Sequence, residues 1–287
     1  MTNIKINSER KGSNPGGYCL VESSPKGHFD AYLKFCSQSR LSPSHPFKPI
    51  HQPVYEAVAL SLAERFGLHV PRFFVLVNGE DVSFDQTEIQ RSKQMSERMP
   101  FYLVSKVVKL KTDYESPLLK DMMVNDKFYR DLLMVGDVSG RRQNFGMVEF
   151  PHPHVLYIDL GCSFVDAHEN FISQRKDVSK LTRDKKGLEK RGLRKSIKNA
   201  ARYLNTRALI TAHDVPYQKD ILEFPEILAS IRSMNIPTLN AGKIPLDSIL
   251  CNSEITEIEN LLTLNFQRTI RAYKRKGTDL EKKVLKV

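Results

Sequence analysis

No stretch of this 287-residue chain is apolar over the roughly 20 residues that a membrane-crossing helix needs. The opening, Met1 to Gly17, is polar and lacks the apolar core of a secretory leader. Cysteine is sparse. Cys19, Cys36, Cys162 and Cys251 stand far apart and form no CxxC pair, which argues against a disulfide scaffold or a zinc module. A reduced, cytoplasmic protein is the expectation. There is no internal repeat. Acidic residues are scarce where basic ones crowd: twelve Lys or Arg between Arg175 and Arg202 face only Asp177, Asp184 and Glu189. That segment carries most of the formal charge of +11 and suits an anionic partner. It has no interleaved aromatic before Tyr203, so base stacking on it is not expected.

What is present reads as a strand-rich first third followed by a mainly helical remainder. Ser13 to Gly17 is a turn signal, Tyr18 to Glu22 a strand, and Phe29 to Phe35 its returning partner with Lys34 near the end. Pro53 to Phe66 predicts a helix, with proline at its start and Gly67 just past its end. Its apolar stripe runs through Val54, Tyr55, Val58, Ala59, Leu62 and Phe66; Glu56 borders the stripe and Glu64 points away. Pro71 to Val77 and Phe101 to Val108 predict further strands, and Asp85 to Arg98 a loop. Phe145 to Phe150 and Val155 to Ile158 predict a hairpin around Pro151–His154. From about Asp166 the pattern is helical, with breaks near Gly187, Pro216, Pro237 and Pro245 and a last helix from Glu254 to Lys276. A boundary falls near Lys109 to Pro117.

The chemistry concentrates in one order of residues. Gly136 to Asn144 is a polar loop ending in Asn144, and Tyr157-Ile158 runs into Asp159-Leu160-Gly161. A hairpin can bring Asn144 and Asp159 together, and two hard oxygen ligands suit Mg²⁺, which takes its remaining ligands from water and phosphates. Upstream, a strand lysine (Lys34) and a helix glutamate (Glu56) stand in the order that phosphoryl transfer uses. Each residue alone has a plainer reading: a solvated lysine, a glutamate complementing the helix dipole, an aspartate serving a turn. Gly16 and Gly17 would let backbone approach phosphates.

In this order the chain resembles the HipA-like kinases. The resemblance rests on Asp30-Ala-Tyr-Leu-Lys34-Phe35, on Tyr55-Glu56 through Gly67-Leu-His-Val-Pro71, on Gly140-Arg141-Arg142-Gln143-Asn144-Phe145 and on Ile158-Asp159-Leu160-Gly161. The last two also resemble the loops of phosphoinositide kinases. It covers about residues 13 to 165. It implies an α+β, two-lobed protein-kinase-like fold: a small antiparallel-sheet N-lobe with one helix over 1–110, and a larger, mainly helical C-lobe over 111–287. It implies a Ser/Thr protein kinase of bacterial type with ATP and Mg²⁺ in the cleft and a protein as substrate. Lys34 would hold the α/β phosphates, Glu56 would pair with Lys34, Asn144 and Asp159 would hold the metal, and Val107 to Lys109, with Val108 between, would line the adenine. The glycine turn stands near the chain's start, so the extra N-terminal subdomain of full-length HipA is not expected.

The resemblance breaks at one position. Where the family has an aspartate five residues before the asparagine, this chain has Ser139, and a serine hydroxyl is no useful base near neutral pH. Asp137, two residues earlier, takes the role if the loop carries a two-residue bulge; otherwise the chain is a weak kinase or a pseudokinase. Arg141 and Arg142 can meet a phosphate or stay solvated. Two alternatives stand beside the protein kinase: a kinase of an anionic small molecule or lipid, and a nucleic-acid-binding protein using residues 175–202.

Overall fold

Alternation of apolar and polar residues builds the strands, and the first of them is one that composition conceals. Asn3-Ile4-Lys5-Ile6 alternates over four residues inside the polar N-terminus, and Ile4 and Ile6 are buried while Asn3 and Lys5 are exposed. The structure, a computed structural model, describes residues 2–8, 16–23, 27–35, 44–79, 82–83, 100–111, 116–119, 122, 145–149, 151–161, 164–165, 168, 217–239, 242–264 and 266. Asp137, Ser139, Asn144 and the basic segment 175–202 lie outside them.

Among the described residues the strands are β1 (Thr2–Ile6), β2 (Gly16–Ser23), β3 (Gly27–Lys34), β4 (Phe74–Asn78), β5 (Val82–Ser83), β6 (Phe101–Lys106), β7 (Phe145–Val148), β8 (His154–Tyr157), β9 (Asn235–Thr238) and β10 (Gly242–Pro245). The helices are α1 (Gln52–Arg65), α2 (Tyr217–Ala229) and α3 (residues 252–264). The fold is α+β with a mainly antiparallel sheet. Eight strands join in the order β10-β9-β4-β6-β3-β2-β1-β5, and β7 and β8 form a separate hairpin. No helix among the described residues is long and apolar enough to cross a membrane.

The order of the sheet forces it to curl. Asn78 ends β4 and Val82 begins β5, so at most roughly 14 Å of chain joins them. Yet four strands stand between β4 and β5, and a flat sheet would separate them by roughly 24 Å. The sheet therefore rolls until β1 and β5 come back toward the end of β4. The inside of the roll is the apolar cluster of Ile4, Ile6, Cys19, Val21, Ala31, Leu33, Val75, Val77, Tyr102 and Val104. The register agrees: Ile6 faces Cys19, Cys19 faces Ala31, Leu33 faces Val104 and Val104 faces Val75.

The outer face carries α1, which packs on Leu76 of β4 and Leu103 of β6 within the larger apolar cluster. The helix was expected to be apolar on one stripe, but Ala57 and Leu60, off that stripe, are buried as well. Both sides of α1 are covered, by the sheet and by residues from the C-terminal part of the chain. Its end is a Schellman turn. Gly67, at φ 78°, donates to the Glu64 carbonyl (3.0 Å), and Leu68 donates to the Ala63 carbonyl (2.9 Å).

The helical pattern was expected to break near Pro237 and Pro245; instead these prolines lie in β9 and β10, which pair antiparallel and extend the sheet of the first third. Leu76 pairs in parallel with Thr238, and the Leu239 N–H donates to the Leu76 carbonyl (3.0 Å). Pro237 and Pro245, read as helix breakers, are tolerated as strand residues at the sheet's margin.

Candidate functional site

Three charged side chains from three distant parts of the sequence meet between β3, α1 and the end of β8. Lys34 is the last residue of β3, and its side chain lies on the outer face, toward α1. Its Nζ is paired with Glu56 Oε1 and stands 2.9 Å from Asp159 Oδ1. Glu56 is almost wholly enclosed at 4% side-chain exposure, Lys34 is 16% exposed and Asp159 is 47% exposed. The cluster thus grades from a buried carboxylate through a shared ammonium to a carboxylate open to solvent. Glu64, one side of the helix away, is exposed, so of the two glutamates it is Glu56 that faces inward.

Asp159 reaches this place by a defined path. Phe145 faces Tyr157 across the β7–β8 hairpin, and the Lys111 N–H donates to the Met147 carbonyl (2.9 Å), tying the hairpin to the chain that follows β6. Gly146 is required there, because a Cβ would stand 2.8 Å from Leu110 Cβ. At the far end of β8 the Tyr157 N–H donates to the His69 carbonyl (2.9 Å), in the turn that follows α1. Two residues on, Asp159 takes φ 62°, a left-handed conformation uncommon for a residue with a side chain. The turn then folds onto α1: Leu160 is buried and its N–H donates to the Glu56 carboxylate. A Cβ at Gly161 would stand 2.7 Å from Gln52 Nε2 and 2.8 Å from Glu56 Oε2, so a side chain there would push the ends of these two side chains aside. Local backbone strain at a charged residue is a recurring property of functional sites.

The electrostatics follow from one cation shared by two anions. Burial by itself lowers the Lys34 pKa, but Asp159 and Glu56 more than reverse that, and the ammonium is held above its ordinary range. Burial is the largest influence on Glu56. Asp159 adds to it, Lys34 and the Leu160 N–H oppose it, and the carboxyl is pushed up to about 7. The arrangement has one negative charge in excess when all three groups are ionised, and that excess sits on the exposed side, at Asp159.

The other expected residues distribute as follows. Gly16 is directly opposite Lys34 across β2 and β3. Both glycines have a packing reason to be glycine: a Cβ would stand 2.4 Å from the Leu33 carbonyl at Gly16 and 2.8 Å from the Ser8 carbonyl at Gly17. Val107 and Val108 follow the end of β6; Val107 is exposed, and its N–H donates to the Asp30 carbonyl (3.4 Å). Asn144 lies outside the described residues, next in sequence to Phe145, the last described pair of the hairpin that carries Asp159. Asp137 and Ser139 lie outside them too. Gln52 is a site residue that sequence reasoning passed over. It is buried, lies one turn before Glu56 on the same face, and borders Gly161. No sequence signal marked it, since it precedes the proline that marks the start of the helix.

Among the described residues no group of three or more His, Cys, Asp and Glu is placed to hold a metal ion. One half-exposed carboxylate is the donor that the described site offers. That donor set suits Mg²⁺ only in company with phosphate oxygens, since Mg²⁺ is commonly held by one or two carboxylates plus phosphates. No family model, no curated protein and no solved structure gives a significant match to the chain.

Proposed function

We propose that this chain is an ATP-dependent phosphotransferase with a kinase-like cleft, whose phosphate end is the Lys34–Glu56–Asp159 cluster. The observation that carries the reading is the single ammonium shared by a helix carboxylate and a strand-end carboxylate, brought together from positions 34, 56 and 159. Glu56 holds Lys34 in place; Lys34 presents its remaining N–H toward a phosphate oxygen; Asp159 offers its carboxylate to Mg²⁺. The ion, when bound, neutralises charge on the phosphates and supplies the positive charge that the cluster lacks. Asn144 is proposed as the second metal ligand, Asp137 as the carboxylate that orients the attacking hydroxyl, and Val107 and Val108 as neighbours of the base. A Ser or Thr of a protein is the proposed acceptor. Because phosphoryl transfer depends mostly on positioning and charge, Ser139 in place of an aspartate is compatible with slow turnover.

Mg-ATP is expected to raise the melting temperature of the wild type, and Asp159→Ala to remove the rise. No rise in the wild type sinks the reading. With γ-labelled ATP, label transfer abolished by Asp137→Ala assigns the acid–base role. Binding without transfer leaves a nucleotide-binding module, the reading that Ser139 favours.

A further inference from the structure

One segment of the chain, residues 217–264, holds α1 at both ends. At the first turn the grip is polar and buried. Glu254 is wholly enclosed, and its Oε1 accepts the Tyr55 hydroxyl and lies 2.7 Å from His51 Nδ1. Its Oε2 accepts the Cys251 N–H (3.0 Å) and the Cys251 thiol (2.9 Å). Tyr55, also fully buried, accepts the Lys48 N–H (2.8 Å) on the same hydroxyl. At the last turn Arg65 Nη1 donates to Ser230 Oγ (2.6 Å), and Phe66 stacks on Phe224 with ring centroids 6.1 Å apart. Between the two, β9 lies on the edge of β4, the strand beneath α1.

A helix cap explains only part of this. Glu254 is the third residue of α3, and its bond to the Cys251 N–H is the ordinary return contact of a capping box. The cap needs neither Tyr55 nor His51. Enclosing a carboxylate so completely costs several kcal/mol, of order, unless its lone pairs are filled. Here Oε2 is filled from Cys251 at the cap of its own helix and Oε1 from the start of α1. The hydroxyl on Oε1 belongs to the residue beside Glu56, and a helix is stiff enough over one residue that fixing Tyr55 fixes the height and rotation of Glu56. At the other end of the same path, the Glu56 carboxylate that pairs with Lys34 lies under the Leu160 N–H and against Gly161.

We infer that Glu254 is a positioning residue for Glu56: acting through Tyr55, it sets α1 so that the Lys34–Glu56 pair is assembled by the chain's own C-terminal segment rather than by a ligand or a partner. The inference deepens the nucleotide reading of the cleft, but its core statement concerns the pair itself and is measured on the protein without nucleotide.

The measurement is the acetylation rate of Lys34, read by peptide mass spectrometry under a brief pulse of a water-soluble acetylating reagent well below the melting temperature. Lys106 and Lys111 in the same samples serve as internal references. Tyr55→Phe removes one hydroxyl and keeps the ring; Glu254→Gln removes the charge; Glu259→Gln, on the half-buried partner of Arg232, is the control. Lys34 is expected to be protected in the wild type and the control. In Tyr55→Phe and Glu254→Gln its rate relative to the references is expected to rise, by about tenfold for each unit by which its pKa falls. Glu254→Asp is expected to restore part of the protection. A folded Tyr55→Phe in which Lys34 stays as protected as in the wild type overturns the inference, and this variant decides if Glu254→Gln does not fold. Mg-ATP separates the two readings. Selective exposure of Lys34 in the variants, with no thermal shift by Mg-ATP in the wild type, upholds the positioning role and overturns the nucleotide.

Discussion

Burial, with Asp159 adding to it, gives Glu56 an unusual acid–base behaviour. Its carboxyl ordinarily titrates near 4.5 and is pushed up to about 7 in the folded chain. Between those values the folded protein binds more protons than the unfolded one, so stability falls as pH rises toward 7. Each unit of such a shift corresponds to about 1.4 kcal/mol. Glu56→Gln is therefore expected to flatten the dependence of melting temperature on pH between about 5 and 7, measured against the wild type by calorimetry. A wild type and variant with parallel profiles would show that Glu56 titrates normally. At this scale the pairing of Lys34 with Glu56 was legible from their order along the chain, while their plainer readings were individually as good; that Asp159 shares the same ammonium was not. Gln52 was not legible: nothing in a helix's first residue announces that a glycine more than a hundred positions later will rest on it. Gly16 and Gly17 show the converse. They were read for what backbone can approach, and each has a carbonyl of the protein itself within 3 Å of where a Cβ would stand.

At the level of elements, α1 is the best specified from sequence and the most constrained in structure. Pro53 and Gly67 marked its ends because each acts on local backbone alone. Gly67 has nothing within 4 Å of where a Cβ would stand, so its requirement is conformational rather than steric. Gly67→Ala is expected to cost about 1–2 kcal/mol for forcing a side chain into the left-handed region. Gly67→Asn should cost less, and urea unfolding of the two variants checks the order. The strands β1 and β9–β10 were missed for different reasons. The four-residue alternation of β1 is diluted by polar neighbours. Residues 235–245 carry two prolines, which read locally as interruption, whereas the decision is made by β4, whose open edge takes the hairpin. The last helix was placed at Glu254, three residues into its capping box, without sign that the glutamate is also the buried tie to α1.

For the molecule as a whole, the rolled sheet is the feature with the widest reach. Cys19 lies inside it, and burial, with Asp30 adding to it, pushes its thiol up to about 12. Cys251 lies at the surface, at the start of α3. Alkylation of the native protein with iodoacetamide at pH 8 is expected to label Cys251 readily and Cys19 only upon unfolding. Early labelling of Cys19 would mean that the roll opens locally. The roll itself was not legible, since it follows from which strands are neighbours, and neighbours are chosen by contacts far apart in sequence. The pairing of Leu76 with Thr238 has a consequence for synthesis. While a ribosome is still making the middle of the chain, β4 offers Phe-Val-Leu-Val along a bare edge, because the hairpin that covers it has not yet been translated. All of the chain between Asn78 and Asn235 must be translated before that edge is capped.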